Sequence, residues 1–403
     1  MPTSPPPVFD PEEILSPATA LEPVPFFARL REHEPVHWSP ATHSWYLTRH
    51  DDVSELLLSA ALGPRDKSGM LAALAPGRRA LYAPVEHFLG KWLVFSDAPY
   101  HLRARKAIQR AFTPRALADF TGVVDRCAAR AADALGEGPG DLFGDVARPY
   151  ALELVCALLG IRPGERDTVL DWSDRLIAYL AMSGLQDGTA RAAAQAAAQL
   201  TEFVTGTVLP RGEAPVARLL HEVHRAGALD GTEVTATFAQ LLTGGAEPVA
   251  TASAMALVLL LAHPDEWDAV RHGRVPYAAA VEEVLRLSSP FHFAPRTARG
   301  DLEVRGRRIA AGDRVVLVLA AANRDPEAYP DPDAFDVRRK GPRHLSFGRG
   351  GHFCLGAVLA RQAVEALLRA VDDRHPTLRL GPLPLRRHPA FGVTSLAEVP
   401  CLV

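Results

Sequence analysis

The sequence predicts a mainly α-helical protein with a minor antiparallel β part. Three observations carry that prediction. Residues 232–262 hold the longest continuous helical pattern in the chain. Residues 355–371 hold a second long one near the C-terminus. Strand-like patterning is confined to short places: residues 36–48, where Trp38, Trp45 and Tyr46 alternate, and residues 302–320, where Gly306 and Gly312 separate β-branched runs.

The remaining elements follow in chain order. Residues 1–25 are proline-rich and read as an extended arm, and residues 26–403 as one domain. Residues 25–34 have helical periodicity that stops before Pro35. Residues 51–59 look helical, with Asp51 or Asp52 near the N-cap. Residues 63–90 carry few periodic signals and read as irregular. Residues 100–110 are basic and helical. Pro114 suits a first helical position and opens a long helix to about residue 135. Further helices are expected within 140–159 and over 166–180, 189–208 and 276–287, with a loop at 184–188. Residues 323–343 form a polar, proline-rich meander.

Composition narrows the class. The chain has 403 residues, 48% of them hydrophobic, and a formal net charge of −3. That supplies a large core and gives no bulk attraction to nucleic acid or anionic membranes. Cys127, Cys156, Cys354 and Cys401 match no zinc or disulfide spacing, which points to a reducing compartment. The N-terminus lacks a charged-then-apolar signal pattern. The apolar stretch 249–262 is too short to span a bilayer. A cytoplasmic protein is expected, with no membrane and no nucleic-acid partner.

The most informative segment is Phe347-Gly348-Arg349-Gly350-Gly351-His352-Phe353-Cys354-Leu355-Gly356. A glycine-rich loop here holds one cysteine ahead of a helical pattern. A lone thiolate so placed suits a metal that takes one protein ligand on one face, as haem iron does. Gly350 and Gly356 can adopt φ > 0 and let backbone N–H groups approach the sulfur, which tunes a metal's redox potential. Phe347 is placed to shield the loop and His352 to reach a haem propionate. The bland alternative is a buried free cysteine in a turn.

These ten residues resemble the haem-binding loop of the cytochrome P-450 family. Phe347, Gly348, Gly350, His352, Cys354 and Gly356 fill every fixed position of that family's pattern. The resemblance implies the family's fold, with haem b between a long distal helix and the proximal helix that follows the cysteine loop. Cys354 would be the axial ligand.

Other segments extend the resemblance from about residue 45 to 391. His101 and Arg105 lie four apart on a predicted helix, so they can point at one anion. They resemble the family helix that grips a haem propionate, and Arg296 resembles a second propionate arginine. The alternative for each arginine is a solvated side chain. Glu283 and Arg286 share a helix face; taken alone they read as a surface pair. In relatives such a pair is joined by an arginine of the meander, for which Arg339 is the match, and it supports the proximal side.

Residues 241–249 resemble the distal helix. Gly244 and Gly245 remove side chains where dioxygen must fit, and Glu247 stands at the acid position. The next position is usually a threonine that helps deliver protons; here it is Pro248. Proline has no N–H and no hydroxyl, so the Gly244 carbonyl should be freed and the helix should kink. Thr243 and Thr251 are weak substitutes. Phe88, Trp92, Leu242, Ala246, Phe291, His292, Phe293 and Phe391 fall in segments that line the substrate pocket in the family. Each aromatic among them is as readily a core residue, and a satisfied polar contact is the simpler reading of His292.

The resemblance implies oxidation of a small, largely hydrophobic molecule with dioxygen and electrons from ferredoxin and ferredoxin reductase, in specialised-metabolite biosynthesis. Arg103, Lys106, Arg110, Arg343, Arg349 and Arg361 would frame a basic docking patch for that donor. Pro248 keeps a different haem chemistry open: peroxide-driven oxidation, oxidative ring closure or coupling. A non-catalytic haem protein that recruits a partner enzyme is the remaining alternative.

Overall fold

The computed structural model describes residues 9–10, 12–65, 74–181 and 184–403. Its axis is the helix Gly231–Ala262. Asp230 and Glu233 open it with a capping box: Asp230 Oδ1 accepts the Glu233 N–H at 2.8 Å and Glu233 Oε2 accepts the Asp230 N–H at 3.1 Å. The helix has the length and apolar character to cross a bilayer, yet 61% of its most apolar window is buried inside the fold. It packs against Arg148–Leu159, Ala357–Arg374 and Tyr277–Leu287. Residues 234–239 and 250–258 are buried, whereas 243–249 between them are partly open.

A five-stranded sheet lies beside this helical body. Its order is Val36–Ser39, Ser44–Leu47, Arg314–Val318, Phe293–Ala298 and Leu62–Pro64. Neighbours run antiparallel except Ser44–Leu47 with Arg314–Val318, which are parallel. The expected hairpin forms from Leu302–Val304 and Arg307–Ile309. Its two-residue turn puts Arg305 at φ 48° and Gly306 at φ 74°, the pair of positive angles a tight hairpin with right-handed strand twist requires.

Three expectations need correction. Residues 13–25 are largely helical instead of extended: Ser16 accepts the Thr19 N–H and caps Pro17–Leu21, and Pro23–His33 follows at once. That second helix buries Phe26, Phe27 and Leu30 against Tyr46, Val316 and Val318 of the sheet. Within the supposedly irregular 63–90, Pro76–Leu89 is helical, with Tyr82, Val85, Phe88 and Leu89 as its buried stripe. Its periodicity is confined to the second half and interrupted by Pro84, so little pattern precedes it. The helix expected from Pro114 breaks into Pro114–Ala118 and Thr121–Asp133, where Phe120 turns into the core.

Candidate active site

The cysteine loop is built by short-range bonds and by two glycines. Cys354 N–H donates to the Phe347 carbonyl at 2.9 Å and closes the loop on itself. Asn323 anchors its start, accepting from the Leu345 N–H at 2.7 Å and donating to Ser346 Oγ at 2.8 Å. Gly348 and Gly350 take φ 66° and 67°. A Cβ on Gly350 would come within 3.1 Å of the Leu57 carbonyl oxygen, so both angle and space require glycine. Gly356 differs from expectation: its φ is −85° and a Cβ there would meet nothing within 4 Å. Its contribution is its N–H, which bonds the Cys354 sulfur. Burial pushes the Cys354 thiol up; the Gly356 N–H and the charges of Arg105 and Arg361 pull it back.

The two predicted propionate groups converge beside this loop. The rings of His101 and His352 lie 4.3 Å apart between centroids. Arg105 Nη2 donates to the Phe353 carbonyl at 2.7 Å. Arg296 and Arg105 both act electrostatically on His352, whose pKa falls to about 4, mainly through burial. Among the described residues neither Arg105 nor Arg296 has a carboxylate partner; Arg296, 8% exposed, bonds only the Pro295 carbonyl. His101 Nε2 is buried with no partner. The cationic Arg105 and Arg296, set beside two neutral histidines, thus lack a balancing anion among the described residues, and for the buried Arg296 this is costly unless an acidic ligand supplies one.

The Glu283–Arg286 pair is buried, not at the surface: its side chains are 4% and 3% exposed. Arg286 Nε and Nη2 grip the two Glu283 oxygens at 2.7 and 2.8 Å. Arg339 Nε adds a bond to Glu283 Oε1 at 3.0 Å, as does the Asp336 N–H. Arg286 also donates to the carbonyls of Asn323, Pro332 and Ala334. This network fixes the meander that leads into the cysteine loop.

On the long helix, Gly244 and Glu247 are exposed at the partly open middle, and Pro248 is half-buried beside them. The helix runs through Pro248 without interruption. The two glycines divide their roles. A Cβ on Gly244 would meet nothing within 4 Å, whereas one on Gly245 would press on Val155 at 3.2 Å; Gly245 serves helix packing. Neither threonine replaces the missing hydroxyl. Thr243 donates to the Ala239 carbonyl of its own helix at 3.0 Å, and Thr251, 1% exposed, faces the Thr394 carbonyl.

Comparison with known proteins agrees with this geometry. The sequence profile of the family described as Cytochrome P450 matches residues 215–371. The chain is 32% identical over 367 residues to 6-deoxyerythronolide B hydroxylase of Saccharopolyspora erythraea, covering 88% of this chain and 89% of that protein. The chain belongs to the cytochrome P450 family. The crystal structure of CalO2 superposes with a TM-score of 0.85 at 31% identity, covering 98% of each chain. A P450 described as catalysing C–S bond formation in chuangxinmycin biosynthesis, CxnD, superposes at 0.81 with 29% identity and 94% coverage of both chains.

This P450 is therefore an oxidoreductase whose family cofactor is protoporphyrin IX haem. Its own residues fit that group. Haem is an apolar macrocycle carrying two carboxylates, and the chain offers a largely apolar long helix, two arginines without a carboxylate partner and one thiol. Cys354 would hold the iron, while His101, Arg105, Arg296 and His352 would receive the propionates.

The aromatics predicted for the substrate pocket fall into separate places in the P450. Phe88 is buried. Trp92 stacks on Phe95 at 6.0 Å, and its buried indole N–H has no partner. Leu242 is buried and Ala246 partly so, on the distal helix. Phe293 and Phe391 pack at 4.9 Å in an aromatic cluster with Phe27 and Tyr46. His292 makes the satisfied contact: Nδ1 bonds the Phe391 carbonyl at 2.8 Å and Nε2 bonds Thr394 Oγ1 at 3.1 Å. Phe291 is 44% exposed. Sequence reasoning missed Glu282, which pairs with Arg361, and His344, whose Nε2 lies 3.4 Å from Glu282 Oε2; their places beside Glu283 and three residues before Phe347 were the available signal.

Proposed function

We propose that this P450 oxidises a small, largely hydrophobic organic substrate in specialised-metabolite biosynthesis, with dioxygen and electrons relayed by ferredoxin and ferredoxin reductase. The observation that carries the reading is the pairing of a one-cysteine loop and two arginines without a carboxylate partner with a distal helix open at Gly244–Glu247. Bound haem supplies the oxygen-activating redox chemistry. The chain's residues do the rest. Cys354 would donate thiolate charge, with the Gly356 N–H limiting that donation. Gly244 leaves room beside the distal face. Glu247 has no hydrogen-bond partner among the described residues and stands free to carry protons from solvent.

A second reading has its own support. With Pro248 in the relay position and both neighbouring threonines engaged elsewhere, proton delivery lacks a side-chain hydroxyl beside Glu247. Substrate-borne hydroxyls or water would complete it, or the P450 performs coupling or ring closure, as the bond-forming relative's description illustrates.

The electron donor would dock over the helix Tyr100–Ile108. Arg103, Arg349 and Arg361 are engaged by Glu233, Ser54 and Glu282. Lys106, Arg110 and Arg343 are exposed with neither an ion pair nor a hydrogen bond to another side chain among the described residues and are the steering charges we assign. Lys106 and Arg110 rim a groove of about 590 Å³ floored by Ala107, Val223 and Ala226.

The deciding experiment is the carbon monoxide spectrum of the reduced protein, followed by product analysis with candidate aromatic and polyketide-like substrates. Wild type should give the band that names the family, and Cys354→Ala should lack it. A band that survives in Cys354→Ala would overturn the ligand assignment. Turnover supported better by peroxide than by the electron chain would favour the second reading.

A further inference from the structure

The underside of the cysteine loop carries a cation that loop closure does not require. Arg361 sits on the helix Ala357–Arg374, two turns beyond Cys354. Its guanidinium lies 4.5 Å from the centre of the Phe347 ring. Glu282 grips it from the other side, with Oε1 2.5 Å from Nε and Oε2 3.1 Å from Nη2. Nη1 also donates to the Ala357 carbonyl at 3.2 Å. His344 Nε2 lies 3.4 Å from Glu282 Oε2. Burial pushes the Glu282 carboxyl up, but His344 and Arg361 more than offset it and bring it down to about 2.

This arrangement does little for stability. The side chains of Arg361 and Glu282 are 34% and 42% exposed, and ion pairs so open to water add little. What the clamp fixes is position. Arg361 is held over the ring of Phe347, the residue whose carbonyl accepts the Cys354 N–H. The side-chain charges acting on Cys354 are Arg105 and Arg361, with no carboxylate among them. Arg105 is one of the residues expected to receive a propionate, which would neutralise it. Arg361 is fixed by its clamp.

We propose that Arg361, clamped by Glu282 against the Phe347 ring, is a positioning residue that sets the electrostatic potential at the Cys354 thiolate and so the reduction potential of the haem. The inference rests on Cys354 being the axial ligand. A fixed cation stabilises the more electron-rich, reduced state, so its loss makes reduction harder.

The test is a redox titration of the haem-loaded protein with small-molecule mediators. No protein donor takes part, so a docking role for Arg361 would leave the result unmoved. Arg361→Gln should lower the potential, on the order of a tenfold weaker reduction equilibrium, about 59 mV for a one-electron couple. Arg361→Lys keeps the charge and should recover most of that shift. Glu282→Gln removes the opposing charge while the Ala357 carbonyl and Phe347 still hold the guanidinium, so it should move the potential the opposite way. The carbon monoxide band of each variant reports whether the thiolate is retained. If wild type lacks that band, the ligand assignment fails. If all variants keep the band and their potentials equal wild type, this inference alone fails. Arg361→Gln and Glu282→Gln shifting in the same direction would also overturn it, because loosened packing would then account for both.

Discussion

At the scale of single residues, Pro248 sets the most consequential question. The residues around it were legible as a motif, but their roles were not. Sequence spacing put two glycines, an acid and two nearby threonines on one helix, and only packing shows that Gly245 faces Val155 and that both threonines have other partners. Proline leaves the Gly244 carbonyl without its usual N–H donor. Pro248→Thr restores an N–H and adds a hydroxyl beside Glu247. The expected outcome is a change in product formed per electron pair, or in product ratio. Glu247→Gln keeps shape but cannot carry a proton, and turnover should fall by roughly 10²–10⁴-fold, the usual contribution of general acid–base catalysis. Equal rate, coupling and product in wild type and both variants would remove this helix from oxygen activation.

At the scale of elements, the long apolar patterns were readable because burial on one or all faces writes a period into the sequence. The helix Pro76–Leu89 was not, since only its second half carries a buried stripe. The Glu283–Arg286 pair shows a different limit: spacing gives a shared face but not its burial. Removing one partner of a buried, hydrogen-bonded ion pair leaves the other charge uncompensated. Arg286→Ala should therefore destabilise the protein by about 3–5 kcal/mol, measured by denaturant unfolding, and loosen haem retention through the meander. Arg286→Lys should fall between, since an ammonium cannot make the same bidentate grip.

His292 gives these elements a pH signature. It joins the segment before the strand Phe293–Ala298 to Phe391 and Thr394, and burial lowers its pKa from 6.5 to about 4. Its neutral ring donates from Nδ1 to the Phe391 carbonyl. The unfolded chain takes up a proton near pH 6.5 and the folded chain only near pH 4. The stabilising contribution is thus complete above pH 6.5 and is lost as pH falls towards 4. It amounts to something on the order of 3 kcal/mol. Denaturation midpoints measured across that window should fall less steeply for His292→Gln than for wild type; parallel slopes would assign the acid sensitivity to other groups.

At the scale of the whole molecule, a net charge of −3 hides a local excess of cations. The composition excluded bulk electrostatic attraction, yet the helix Tyr100–Ile108 alone presents Arg103 and Lys106 to solvent, and Arg110 follows it. Three of the six cations assigned to the docking patch are already engaged by neighbouring side chains, which the sequence had no means of showing. Long-range steering of an acidic donor depends on cations without a carboxylate partner, because an arginine paired with a carboxylate, as Arg103 and Arg361 are, presents a dipole to a distant partner. Such steering decays with the Debye length, about 30 Å at 0.01 M salt and about 10 Å at 0.1 M. The second-order rate of haem reduction by an acidic ferredoxin should therefore drop steeply over that range. Neutralising Lys106, Arg110 and Arg343 together should flatten the salt dependence and slow reduction at low salt. Neutralising Arg103 should have a smaller effect on the slope, since Glu233 already balances it. A rate indifferent to salt in wild type, or a triple variant with an unchanged slope, would move donor docking to another face of the protein.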